Sequence, residues 1–105
     1  MVNDKFLNLL GMARKSGKLS LGHDAAISSI VKNKAKLCII SFEGSDRLKK
    51  EMAHACSFED KNIPVLITKY ETLELSKAIG SKAAVITVDD EGFSKTLQTR
   101  YNEDI

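Results

Sequence analysis

The sequence predicts an α/β fold: a three-layer α-β-α sandwich, with helices on both faces of a mixed or parallel sheet of about four strands. Three observations carry this. The apolar runs "LCII" at 37–40, "IPVLI" at 63–67 and "AAVITV" at 83–88 have strand length and are bounded by polar segments. Their continuous apolar character fits strands covered on both faces. Segments with helical spacing lie between them, and strands that alternate with helices build a sheet sandwiched by helices. At 105 residues the chain supports one domain, 1–105, without linkers or repeats.

The elements follow in order. Asn3 or Asp4 can cap a first helix that runs through Ala13, with Phe6, Leu9, Leu10 and Ala13 as its apolar stripe and Gly17 as its stop. Residues 18–21 are short and extended. A second helix spans about 23–33, with Ala26, Ile27, Ile30 and Val31 inward. The strand "KLCIISF" follows, then a helical segment at 45–61, opened by Ser45 or Asp46, with Leu48, Met52, Ala55 and Glu59 on one side. Pro64 is compatible only with the start of the next strand. "TKYE" at 68–71 reads as a capping box for a helix that ends near Gly80. After the strand at 83–88, Asp89 or Asp90 caps a last helix reaching about residue 99, and residues 100–105 form a frayed tail.

Composition excludes several classes. The apolar runs are too short to span a bilayer, and the N-terminus lacks a basic region and a cleavage site, so a cytoplasmic protein away from membranes is expected. Cys38 and Cys56 belong to no C-x-x-C pair and read as two buried thiols. Nucleophile-elbow, phosphate-loop and metalloprotease patterns are missing, so no catalytic residue, metal or cofactor is expected. His54 reads as a partly exposed helix residue.

Charge is distributed unevenly. Residues 1–36 hold seven Lys/Arg and two acids, whereas 37–105 hold nine Lys/Arg against twelve acids. Such asymmetry suits either a polyanion-binding face or a solvated basic surface. Arg14, Lys15 and Lys18 precede a helix start at Gly22, His23 and Asp24. A helix start exposes unsatisfied amides, and its dipole favours an anion. The three cations are expected to reach phosphates on either side of that mouth. His23 can stack on a base or donate to one, and Asp24 can accept from base amino and imino protons. RNA that shows base edges beside a bent backbone fits these groups. An ordinary helix start, with Gly22 as a turn residue and Asp24 as a first-turn acid, fits the same residues.

"LLGMARKSGKLSLGHDA", followed by "KAKLCIIS", resembles the L-seven-Ae/L-thirty-e ribosomal-protein superfamily, and within it the small bacterial branch of YlxQ type. Leu10-Gly11, Ala13-Arg14, Gly17-Lys18 and Gly22 match the first segment, and Ala35-Lys36-Leu37 matches the entry to the central strand. Asn62-Ile63-Pro64-Val65 matches the next strand. Leu75, Ala78, Ile79 and Gly80 match the following helix, and Asp90-Glu91-Gly92-Phe93 matches the bacterial tail. The resemblance implies the sandwich fold and an RNA-binding role. Many members hold kink-turn RNA, a sharply bent internal loop flanked by sheared G·A pairs, against the second helix's N-terminus and a loop before the last strand.

Carried over by residue, the family's Gly-x-Asn-Glu falls on Gly22, His23, Asp24 and Ala25, and the lysine one turn later falls on Ser28. The family's Ala-Glu-Asp falls on Ser41, Phe42 and Glu43, and its second contact loop falls on Ser81, Lys82 and Ala83, which lack the usual apolar pair. The resemblance therefore implies a ribosome-associated module that binds structured RNA, either ribosomal RNA or a kink-turn; the sequence does not fix its oligomeric state, with a monomer favoured. Arg14, Lys15, Lys18, Gly22, His23, Asp24, Ser28, Glu43, Ser81 and Lys82 are its candidate contacts. Ala25 and Ser28, at positions where contacts are usual, equally suit a protein-interaction module that kept the fold.

Overall fold

In the computed structural model, which describes residues 4–103, helix and strand alternate from end to end. The elements are α1 (Lys5–Lys15), β1 (Leu19–Leu21), α2 (His23–Val31), β2 (Leu37–Ser41), α3 (Asp46–Ser57), β3 (Val65–Thr68), α4 (Thr72–Ile79), β4 (Val85–Val88) and α5 (Glu91–Glu103). The four strands form one sheet in the order β1-β4-β2-β3. β2 and β3 run parallel, while β4 is antiparallel to both β1 and β2. The sheet is therefore mixed.

Strand alternation divides the core into two layers. Leu37 and Ile39 of β2, with Ile86 and Val88 of β4, face α1, α4 and α5 and pack on Phe6, Leu10, Leu75 and Leu97. Cys38, Ile40 and Val85 face the other way, toward Ala26, Ile30, Met52 and Cys56 of α2 and α3. Phe6 stacks on Tyr70 and meets Tyr101 edge-on, both at 5.4 Å between ring centres. Both thiols are buried as expected, Cys38 on β2 and Cys56 on α3.

Helix starts are set locally. Asp4 Oδ1 accepts from Leu7 N at 2.9 Å, and its other oxygen accepts from the Tyr70 hydroxyl at 2.6 Å. Asn3, the alternative cap, lies outside the described residues. Ser45 Oγ accepts from Leu48 N at 3.0 Å, and Asp90 Oδ2 accepts from Phe93 N at 2.9 Å.

Several expectations require correction. "TKYE" is not the capping box: Thr68 ends β3, buried, and its hydroxyl accepts from Tyr70 N. Tyr70 is held in the aromatic cluster, so α4 opens two residues later, where Glu74 Oε1 accepts from Glu71 N at 2.9 Å. The third helix stops at Ser57, before a short 3-10 helix, Phe58–Asp60. Cys56 rather than Glu59 completes its inner face, and Glu59 takes a left-handed backbone in the open. Val31 ends α2 and is 65% exposed, and Ser29 takes its inward place. The "IPVLI" run is not covered on both faces, because β3 is an edge strand and Ile67 is 40% exposed. Residues 100–103 continue α5 instead of fraying, because Tyr101 is buried against Phe6.

One carboxylate joins three elements. Asp89 is not a cap; it accepts from Ser20 Oγ at 2.6 Å, Ser29 Oγ at 2.6 Å and Thr87 Oγ1 at 3.1 Å. It thereby ties β1 and β4 to the inner face of α2.

Candidate nucleic-acid interface

The sheet register gathers three loops at one end. Gly22 N donates to Val85 O at 2.9 Å, so the start of α2 sits beside the entry to β4. Ser41 N donates to Ala84 O at 3.4 Å, and Phe42 N donates to Thr68 O at 3.0 Å. The α2 start, the loop at 80–84 and the turn after β2 therefore form one continuous rim.

Gly22 is the N-cap of α2 with φ 88° and ψ 169°. Essentially only glycine occupies that region. Having no side chain, it caps nothing, and among the described residues no side chain accepts from the first-turn amides of His23, Asp24 and Ala25. Open space surrounds the Gly22 Cα. The mouth therefore keeps free donors and the positive end of the helix dipole.

Asp24 points fully into solvent beside these amides. His23 is less free than its sequence suggested. Its Nε2 lies 2.8 Å from Glu51 Oε2, and its Nδ1 lies 3.2 Å from Asp24 Oδ1. The hydrogen bond to Glu51, then that to Asp24, raises the imidazole above its usual value near 6.5. With both nitrogens engaged, His23 orients Asp24 rather than offering itself to a base. Ser28 is exposed one turn further along α2.

Glu43 lies on the same rim but is partly committed, since its Oε1 accepts from Thr72 N at 2.8 Å and so supports the start of α4. The loop at 80–84 begins at Gly80, whose left-handed φ of 72° ends α4. Ser76 holds the loop down twice: its carbonyl accepts from Ser81 N at 3.1 Å and its hydroxyl from Ala83 N at 3.3 Å. Ser81 and Lys82 stay exposed, and Lys82 forms no ion pair among the described residues.

Lys18 is not brought to this rim, while Lys15 lines a groove between α1 and α4 with Met12, Lys77 and Ala78. β1 pairs Leu19 with Val88 and Leu21 with Ile86, so it starts where β4 ends. Asp89 N donates to Lys18 O at 2.7 Å, which fixes Lys18 at that far end. An extended strand rises about 3.3 Å per residue, so the backbones of Lys18 and Gly22 lie about 13 Å apart. Lys18 therefore does not join the expected ring of cations around the mouth, because an extended strand intervenes.

Three residues of the rim escaped the sequence reading. Glu51 arrives through the packing of α3 on α2, which no local pattern signals. Ser76 acts from inside α4. Phe42 is 47% exposed on the rim, and the Lys49 ammonium donates to its carbonyl at 2.8 Å. Its signal was the aromatic residue where the resembled family has glutamate.

Comparison with known proteins agrees with this architecture. Residues 4–98 match the profile of the Ribosomal protein L7Ae/L30e/S12e/Gadd45 family. The chain is 30% identical over 91 residues to the RNA-binding protein YlxQ of Enterococcus faecium, covering 87% of this chain and 85% of that one. It is 29% identical over 90 residues to the RNA-binding protein YlxQ of Bacillus subtilis (strain 168), covering 85% and 87%. Among solved structures, a Bacillus halodurans C protein of unknown function superposes with a TM-score of 0.88 at 29% identity, over 95% of this chain and 99% of that one. The Giardia lamblia 15.5kD RNA binding protein shares the fold, with a TM-score of 0.73 at 19% identity over 98% and 90% of the two chains.

Proposed function

The chain belongs to the Ribosomal protein L7Ae/L30e/S12e/Gadd45 family, and on that premise we propose that it is a non-catalytic RNA-binding module that grips structured RNA on the rim formed by the α2 mouth and the loop at 80–84. The observation that carries this reading is the hydrogen bond from Gly22 N to Val85 O, which sets an uncapped helix start directly beside that loop. The free amides suit a phosphate, and Lys82 suits a second one across the rim. Asp24, turned outward and steadied by His23, accepts from base amino or imino protons. Phe42 supplies a surface on which an unpaired base stacks. Bent RNA of kink-turn type, within ribosomal RNA or a ribosome-bound transcript, presents all three features together.

The test is fluorescence anisotropy with a kink-turn stem-loop and a straight duplex of the same composition, from 50 to 200 mM salt. Wild-type protein is expected to prefer the bent RNA. Asp24→Ala narrows that preference, Phe42→Leu weakens RNA with unpaired bases, and Lys82→Ala weakens both RNAs. Failure of the wild type to bind either RNA, or ribosomal RNA fragments, at low salt refutes the reading.

A second reading rests on the carboxylates of Asp24, Glu43 and Glu51 at the same rim, which suit a basic protein partner. A pull-down whose yield survives nuclease treatment supports it over the first.

A further inference from the structure

We propose that the opposite end of the sheet is a second RNA-contact surface, which holds the phosphodiester backbone without reading bases. It rests on the RNA-binding reading above but uses different residues. Lys18 and Lys36 flank the last residue of β4: Lys36 N donates to Val88 O at 2.7 Å on one side, and Asp89 N donates to Lys18 O at 2.7 Å on the other. Two strand spacings put these backbones about 10 Å apart. Lys32 and Lys34 follow the end of α2, where their amides donate to Ser28 O and Ser29 O.

The cations and the acids at this end are used differently. Among the described residues, none of Lys18, Lys32, Lys34 and Lys36 forms an ion pair. The three acids that follow β4 are engaged, whereas Glu59 and Asp60 beside Lys61 are exposed. Asp89 turns inward onto three hydroxyls, Asp90 caps α5, and Glu91 faces Lys95 at 3.9 Å. Unpaired like charges within a Debye length, about 8–10 Å, repel one another, and a polyanion relieves that repulsion.

The surface also has a shape. Lys36 and Lys61 line a cleft of about 390 Å³ with Asn33, Asn62, Gln98 and one carboxylate, that of Glu91. Lysine ammonium groups and side-chain amides donate to phosphate oxygens as point contacts. Among the described residues no aromatic side chain lines the cleft, so these offer no platform for base stacking. The chemistry is that of a nucleic-acid backbone, and the contact is indifferent to sequence. One molecule thereby holds RNA at both ends of its sheet, reading bases at one and anchoring phosphates at the other.

The test is a triple variant, Lys18→Ala/Lys34→Ala/Lys36→Ala, in the same anisotropy titration. A second variant, Lys32→Ala/Lys61→Ala, repeats the measurement at neighbouring positions, and thermal melts check that both fold. Each phosphate contact contributes about 0.7–0.9 to the slope of log affinity against log salt, so the triple variant is expected to flatten that slope by about two to three. Its preference for bent over straight RNA stays that of the wild type. An unchanged slope and affinity in both variants, with wild-type binding intact, overturns this surface alone and leaves the rim reading standing. No wild-type binding to any RNA removes both.

Discussion

Replacing Asp89 with alanine tests the tertiary lock that places α2. The carboxylate receives three hydroxyls, from Ser20, Ser29 and Thr87. Ser20 is half-buried and can turn to water. Ser29 and Thr87 are buried, at 4% and 0% exposure, and cannot. A buried hydroxyl left without a partner costs about 1–3 kcal/mol. Two such groups give an expected loss of about 2–4 kcal/mol, allowing Ser29 to redirect to a helix carbonyl. A domain of this size has about 5–15 kcal/mol in all, so the variant folds but melts about 10–20 °C lower. The assay is urea unfolding followed by circular dichroism. Asp89→Ala/Ser29→Ala/Thr87→Val is expected to recover part of the loss, because removing both partners leaves nothing unsatisfied. A loss below about 0.5 kcal/mol in the single variant, or no recovery in the triple one, refutes the reasoning.

Two further perturbations probe the rim. Gly22→Ala meets open space but must hold φ 88°, so thermal unfolding is expected to show a loss of about 1–3 kcal/mol from backbone strain alone. For His23, an NMR titration is expected to place the imidazole above 6.5, with Glu51→Gln lowering it toward that value, since the bond to Glu51 is the largest cause of the rise. A folded-state value above the unfolded one stabilises fully below the unfolded value and loses that contribution as pH rises through the folded one. The melting temperatures of wild type and Glu51→Gln should therefore differ more at pH 5.5 than at pH 8.5. A constant gap contradicts the pairing.

The sequence by itself determined what depends on near neighbours down to a short choice. It offered two candidates for each of three helix starts, among which the structure uses Asp4, Ser45 and Asp90, and it showed the stop at Gly80 and the apolar runs at 37–40 and 83–88 within one turn or one strand. The alternation of those elements was enough to specify a layered sandwich, and the mouth at Gly22 was legible because no side chain follows to close it.

Contacts across the sheet were decided only by the tertiary structure. Whether "IPVLI" ran in the centre or at the edge depended on strand order, which periodicity does not encode. Thr68 resembled a cap until Tyr70 was drawn onto Phe6 and the start of α4 was pushed three residues on, to a cap at Glu71. Lys18 lies close to Gly22 along the chain, yet an extended strand puts the two at opposite ends of the sheet. Glu51, far away in sequence, closes on His23 at 2.8 Å. Proximity along the chain predicts helix caps, whose partners lie three residues away. It does not predict a binding face, because a strand carries its two ends apart while the sheet brings unrelated loops together.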